Sequence, residues 1–83
     1  MKVQVRYFAS IREALGVDSE VLETEALDAG SLLLQLRARS SVHASALAQG
    51  RPVRMSVDQV MARGDTPLRE GAEVGFFPPV TGG

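Results

Sequence analysis

The sequence predicts an α+β roll: a mixed sheet of about five strands, one main helix, and one or two short helices. Three observations predict it. The first seven residues after the initiator, "KVQVRYF" (2–8), alternate between polar and apolar, with Phe8 the one apolar residue on the polar face. The segment "DAGSLLLQLRARSS" (28–41) carries leucines at helical spacing. The last regular stretch, "EVGFF" (73–77), is as apolar as the first, which puts the two chain-terminal strands in the middle of the sheet.

Taken in order, the first strand places Val3, Val5 and Tyr7 on one face and Lys2, Gln4, Arg6 and Phe8 on the other, because successive side chains of a strand point to opposite sides. "SIREALG" (10–16) reads as a short helix: Ser10 caps it, Glu13 completes a capping box, and Gly16 closes it in the left-handed conformation. Seven residues do not hold a helix alone, so Ile11 and Leu15, four apart, are expected to pack on the sheet. "SEVLETEAL" (19–27) reads as an edge strand, where Glu20, Glu23 and Glu25 can remain solvated. In the main helix Ser31 is the expected N-cap. Leu32, Leu33 and Leu36 form its core stripe, with Leu34 at or beyond the margin. A helical turn over "HASALAQG" ends at Gly50. "PVRMSVDQVMA" (52–62) holds two short strands, opened by Pro52, which cannot donate to a ladder. Asp65, Pro67 and Gly71 supply turns before the last strand. This order of elements is that of the β-grasp (ubiquitin-like) roll, with the domain over 1–77 and an extended tail over 78–83.

Composition narrows the function classes. Eighty-three residues with 45% hydrophobic and 23% charged content make one domain with little room for a deep pocket. A net charge of −1 with scattered arginines supplies no basic stripe for nucleic acid, and Arg37 and Arg39 read as a solvated helix face. The chain has no cysteine, which excludes disulfides and thiolate nucleophiles. Its single histidine, His43, argues against a metal site. No Gly-rich loop has the phosphate-binding pattern, so no cofactor is expected on this chain. The alternating start is no signal peptide, no run reaches the ~20 apolar residues of a membrane span, and the expected compartment is the cytoplasm.

Two features point to a site. If Val3, Val5, Tyr7, Val74 and Phe76 face the helix, then Phe8 and Phe77 project from the other side, and the alternation of Val57, Gln59 and Met61 offers Met61 to the same patch. An exposed apolar patch of this kind commonly marks a protein interface. The competing reading is that the helix over 10–16 or a local turn covers the two rings. The second feature is the ending "FFPPVTGG" (76–83). Pro78 and Pro79 stop the sheet and favour a stiff extended rod. Six residues at ~3.3–3.6 Å each reach about 20 Å. Gly82 and Gly83 add no side chains, so the tip can enter a narrow channel, and its functional group is a terminal carboxylate that reacts only after activation.

"GAEVGFFPPVTGG" (71–83), "VRYFASIREALG" (5–16) and "VDQVMARGDTPLREG" (57–71) together resemble the small, sulfur-carrier subunit of molybdopterin synthase. The similarity covers most of the chain and weakens between about 18 and 50. The resemblance implies a ubiquitin-like fold and a Gly83 carboxylate that an ATP-dependent enzyme adenylates. The resulting thiocarboxylate gives sulfur to cyclic pyranopterin monophosphate in molybdenum cofactor biosynthesis. It implies a heterotetramer in which the tail, Pro78, Pro79, Val80, Thr81, Gly82 and Gly83, enters the large subunit, where the catalytic pocket lies. Phe8, Met61 and Phe77 fall at that family's interface positions. ATP is used by the activating enzyme, and no membrane or nucleic acid is involved. Two positions depart from the pattern: Asp58, where asparagine is more usual, and Gly64 in "ARGD". The alternatives are a sulfur carrier for thiamine or another thiolation pathway, or a non-catalytic β-grasp binding module.

Overall fold

A computed structural model describes residues 1–48 and 52–79. The elements are β1 (Lys2–Tyr7), α1 (Ala9–Leu15), β2 (Ser19–Glu23), α2 (Ala29–Arg37), α3 (Ser41–Ala46), β3 (Arg54–Val57), β4 (Val60–Ala62) and β5 (Glu73–Phe77). They form one sheet in the order β2-β1-β5-β3-β4. The first and last strands run parallel at its centre, with Val5 opposite Val74 and Tyr7 opposite Phe76, and the other pairs are antiparallel. The α+β roll read from the sequence is therefore the observed fold, with β2 at an edge.

The core follows from the alternation. Val3, Val5, Tyr7, Val74 and Phe76 are buried on one face of the sheet, and Ile11, Leu32, Leu33, Leu36 and Leu47 close over them. Leu34, off the stripe, is exposed. Burial of a large apolar side chain is worth ~1.5–3 kcal/mol, so this layer supplies most of the drive to fold.

Both predicted helix caps are displaced. Ser10 does not cap α1; Phe8 holds the N-cap position with no side-chain bond. Ala9 has φ +50°, turning the chain out of β1 at once, so the Phe8 carbonyl accepts from Ile11 and Arg12 and Ser10 already lies in the first turn. The capping box with Glu13 does not form, whereas Gly16 closes the helix at φ +77° as expected. In α2 the cap is Asp28, whose Oδ1 accepts from the Ser31 amide at 2.8 Å. Ser31 is the donor because the backbone turns earlier: Ala29 donates to Thr66 and Gly30 to Gly64, so a loop satisfies the orphan amides of the first turn. A Cβ at Gly30 would sit 3.0 Å from the Gly64 oxygen. Gly64 is thus packed against the helix start.

The predicted helix over 28–41 divides at 38–40, and Ser40 caps α3 by accepting from the His43 amide at 3.1 Å. The expected end of that second turn, Gly50, lies outside the described residues. β2 stops at Glu23, where the sequence suggested extension to 27.

Arg39 and Glu20 were expected to be solvated, yet they join. The Tyr7 hydroxyl donates to Glu20 at 2.8 Å, and Arg39 donates to the other carboxylate oxygen at 2.7 Å. Arg37 likewise turns inward, donating to the Leu47 carbonyl. Partial burial pushes the Glu20 carboxyl up, but the bonds from Arg39 and Tyr7 outweigh it and hold the group below its ordinary value of 4.5. A carboxyl depressed in the folded state contributes stability above its unfolded pKa and loses it as pH falls through the folded pKa. Glu20→Gln is expected to destabilise the fold by about 1–2 kcal/mol at pH 7, a figure discounted because Arg39 is largely exposed. Thermal melts should show that deficit shrinking as pH drops below 4.5; a deficit independent of pH would refute the linkage.

Candidate functional site

The helices cover one face of the sheet, and the outer face carries the residues that alternation assigns to it. Phe8 and Phe77 stack there with centroids 4.6 Å apart and planes 5° from parallel. The pair is half-buried, with the two rings stacked on one another. The position of Phe8 is set by the parallel pairing of β1 and β5: its amide donates to the Phe76 carbonyl at 3.2 Å, just past the Tyr7 and Phe76 pair.

Gly75 is the floor of this stack. A Cβ there would lie 2.6 Å from the Ser56 oxygen, 3.1 Å from the Phe8 ring and 3.3 Å from the Phe77 ring. Only a residue without a side chain lets the two rings settle onto the sheet. This dependence was not legible from the sequence, where Gly75 reads only as a strand residue on the face of Phe77.

Met61 lies on the same face, though not for the reason alternation suggested. Asp58 and Gln59 both adopt positive φ, 51° and 69°, and form a two-residue hairpin turn. Counting straight through Val57, Gln59 and Met61 would place Met61 with Val57, which pairs with buried Val74. The hairpin reverses the strand, and the register sets Met61 opposite Ser56, which lies opposite Gly75. Met61 is exposed, two strands out from Gly75.

The charged neighbours are Arg6 and Arg54. The Arg6 guanidinium sits 5.4 Å from the Phe8 ring centroid and 3.8 Å from Glu73. Arg54 pairs across the strands with Phe77 and is exposed. At the opposite end of the sheet, Glu23 pairs with the Met1 ammonium at 3.0 Å, and an open concavity of about 650 Å³ is lined by Met1, Thr24, Ser31 and Gln35. Glu25 is exposed.

β5 ends at Phe77, and Pro78 and Pro79 continue from it, half-buried and outside any strand. Val80, Thr81, Gly82 and Gly83 lie outside the described residues. Among the described residues there is no cluster of potential metal ligands and no helix long and apolar enough to cross a membrane. The arrangement is a surface rather than a pocket: a stacked aromatic pair, a thioether to one side, arginines flanking it, and a chain that leaves the sheet one residue later.

The ThiS family matches residues 5–83. A protein of Escherichia coli K12 known as the molybdopterin synthase sulfur carrier subunit is 37% identical over 81 residues, covering 98% of this chain and 99% of its own. A solved complex of subunits 1 and 2 of the molybdopterin-converting factor from Helicobacter pylori contains a chain 25% identical, with a TM-score of 0.68 and full coverage of both chains (100% and 100%). The crystal structure of SAMP1 from Haloferax volcanii, 20% identical, shares the fold at a TM-score of 0.77 over 100% of each chain.

Proposed function

The chain belongs to the ThiS family, and from that premise we propose that it is the sulfur carrier subunit of molybdopterin synthase. An ATP-dependent enzyme adenylates the Gly83 carboxylate: a carboxylate oxygen attacks the α-phosphorus of ATP and pyrophosphate leaves. A sulfur donor then displaces AMP, leaving a thiocarboxylate. The carrier docks on the large subunit and threads residues 78–83 into its pocket, where the sulfur passes to cyclic pyranopterin monophosphate. ATP and substrate bind the partners; this chain supplies the docking face and the tip.

The observation that carries this reading is the stacked Phe8 and Phe77 pair on the helix-free face, one residue before Pro78. A partner that covers the pair also receives the tail, so one interface positions the other. Rings already stacked lose little freedom on docking, which favours binding. The E. coli relative is named for the same role, and the H. pylori relative is solved in complex with subunit 2.

The test is an intact mass of the chain after incubation with the activating enzyme, ATP and a sulfur donor. The expected shift is one oxygen replaced by sulfur, localised to Gly83 by fragmentation. A mass that stays at the free carboxylate would refute the carrier role. Pull-down of a molybdopterin synthase large subunit then separates this pathway from thiamine or other thiolation, since a carrier of those pathways would leave it unbound.

A further inference from the structure

We infer that Arg54 on β3 and Arg6 on β1, the two strands that flank β5, form a cationic rim on the aromatic patch, and that the large subunit meets it with carboxylates around an apolar socket. The inference rests on the docking reading above and adds the chemistry of the partner surface.

The charged groups of the outer face are distributed unevenly along the strands. Arg54 lies opposite Phe77, at the end that leads into the tail, and Arg6 opposite Gly75 at the middle of β5, whereas Glu73 and Asp58 lie toward the other end, where the Asp58 carboxylate accepts from the Glu73 amide at 3.0 Å. Arg6 is partly satisfied, held over Phe8 and within 3.8 Å of Glu73. Arg54 is different. Every acidic side chain of the chain falls among the described residues, and none forms an ion pair with it. It sits directly opposite Phe77, where cross-strand Cβ atoms are ~4.5–5.5 Å apart.

That position decides what the partner must offer. A surface that packs on Phe77 also strips water from the neighbouring guanidinium. Desolvating a charge with no counter-charge is strongly unfavourable, so a partner bearing only apolar groups there would be rejected. A carboxylate from the partner can accept two parallel bonds from the planar guanidinium. Before contact, Arg54 attracts an acidic socket to the tail end of the face rather than to the end that carries Glu73 and Asp58, which orients the encounter.

The experiment measures association of the full chain with the molybdopterin synthase large subunit from the same organism. The chains compared are wild type, Arg54→Lys, Arg54→Gln and Arg54→Glu, each first verified to melt as wild type does. At ~0.05 M salt the association rate is expected to fall about 3-fold for the glutamine variant and about 10-fold or more for the glutamate variant, and to hold for lysine, which keeps the charge. At ~0.5 M salt, where screening is short-ranged, the four rates should converge. A glutamate variant that associates at low salt as fast as wild type overturns the cationic rim while leaving the carrier function intact. A wild-type chain that does not associate with the large subunit at all overturns the carrier function, and the rim with it.

Discussion

Removal of Gly82 and Gly83 is expected to abolish sulfur delivery while leaving the domain folded and able to dock. The buried core runs from Val3 to Phe76, so the deletion removes none of it. The docking face proposed here, Phe8, Met61 and Phe77, also precedes the cut. What changes is reach and shape. Two extended residues span about 7 Å, so the truncated carboxylate stops that far short of the reacting centre. It would also sit on Thr81, whose branched side chain makes a bulkier tip than glycine. Misplacing a reacting group by even ~1 Å can cost about 100-fold, so the loss should exceed that factor. The measurement is conversion of cyclic pyranopterin monophosphate by the reconstituted complex, alongside a thermal melt and the affinity for the large subunit. Turnover near wild type from the shortened chain would sink the carrier mechanism and favour a binding module whose ending is incidental.

Phe77→Ala is expected to weaken binding to the large subunit by about 1–2 kcal/mol or more, roughly 5- to 30-fold in Kd. Phe77 gives its face to Phe8 and sits beside Gly75, so its removal also uncovers Phe8 and leaves the tail without an anchored base. The half-buried pair contributes about 0.5–1.5 kcal/mol to the fold through stacking. The variant should therefore melt somewhat lower but remain folded, with Val5, Tyr7, Val74 and Phe76 unaltered beneath. Titration calorimetry against the large subunit reads the affinity, and Phe77→Leu, which keeps apolar bulk, should recover part of it. An unchanged Kd for the alanine variant would remove Phe77 from the interface.

The two helix starts mark where sequence reasoning fails. Serine at 10 and serine at 31 both have the right chemistry for a cap, yet the caps fall two and three residues earlier. At α1 the left-handed Ala9 compresses the turn; at α2 carbonyls from a loop 34 to 37 residues downstream, Gly64 and Thr66, satisfy the amides that a local serine was expected to satisfy. The triad of Tyr7, Glu20 and Arg39 was hidden for the same reason, since each side chain looks ordinary until the sheet and the turn after α2 bring them within hydrogen-bond distance. Met61 shows a subtler failure: its face was named correctly through a count that ran across a hairpin.

By itself the sequence determined the class of fold, the faces of β1 and β5, the leucine stripe and the aromatic character of the outer face. These follow from periods of two and 3.6 residues, which are properties of the local backbone. Only the tertiary structure decided that Phe8 and Phe77 stack, that Gly75 makes room for them, and that Arg54 stands opposite Phe77 with no acidic side chain among the described residues paired to it. Those relations depend on strand register between segments up to 69 residues apart (Phe8 to Phe77), and register is set by the packing of the whole sheet against its helices rather than by any one segment.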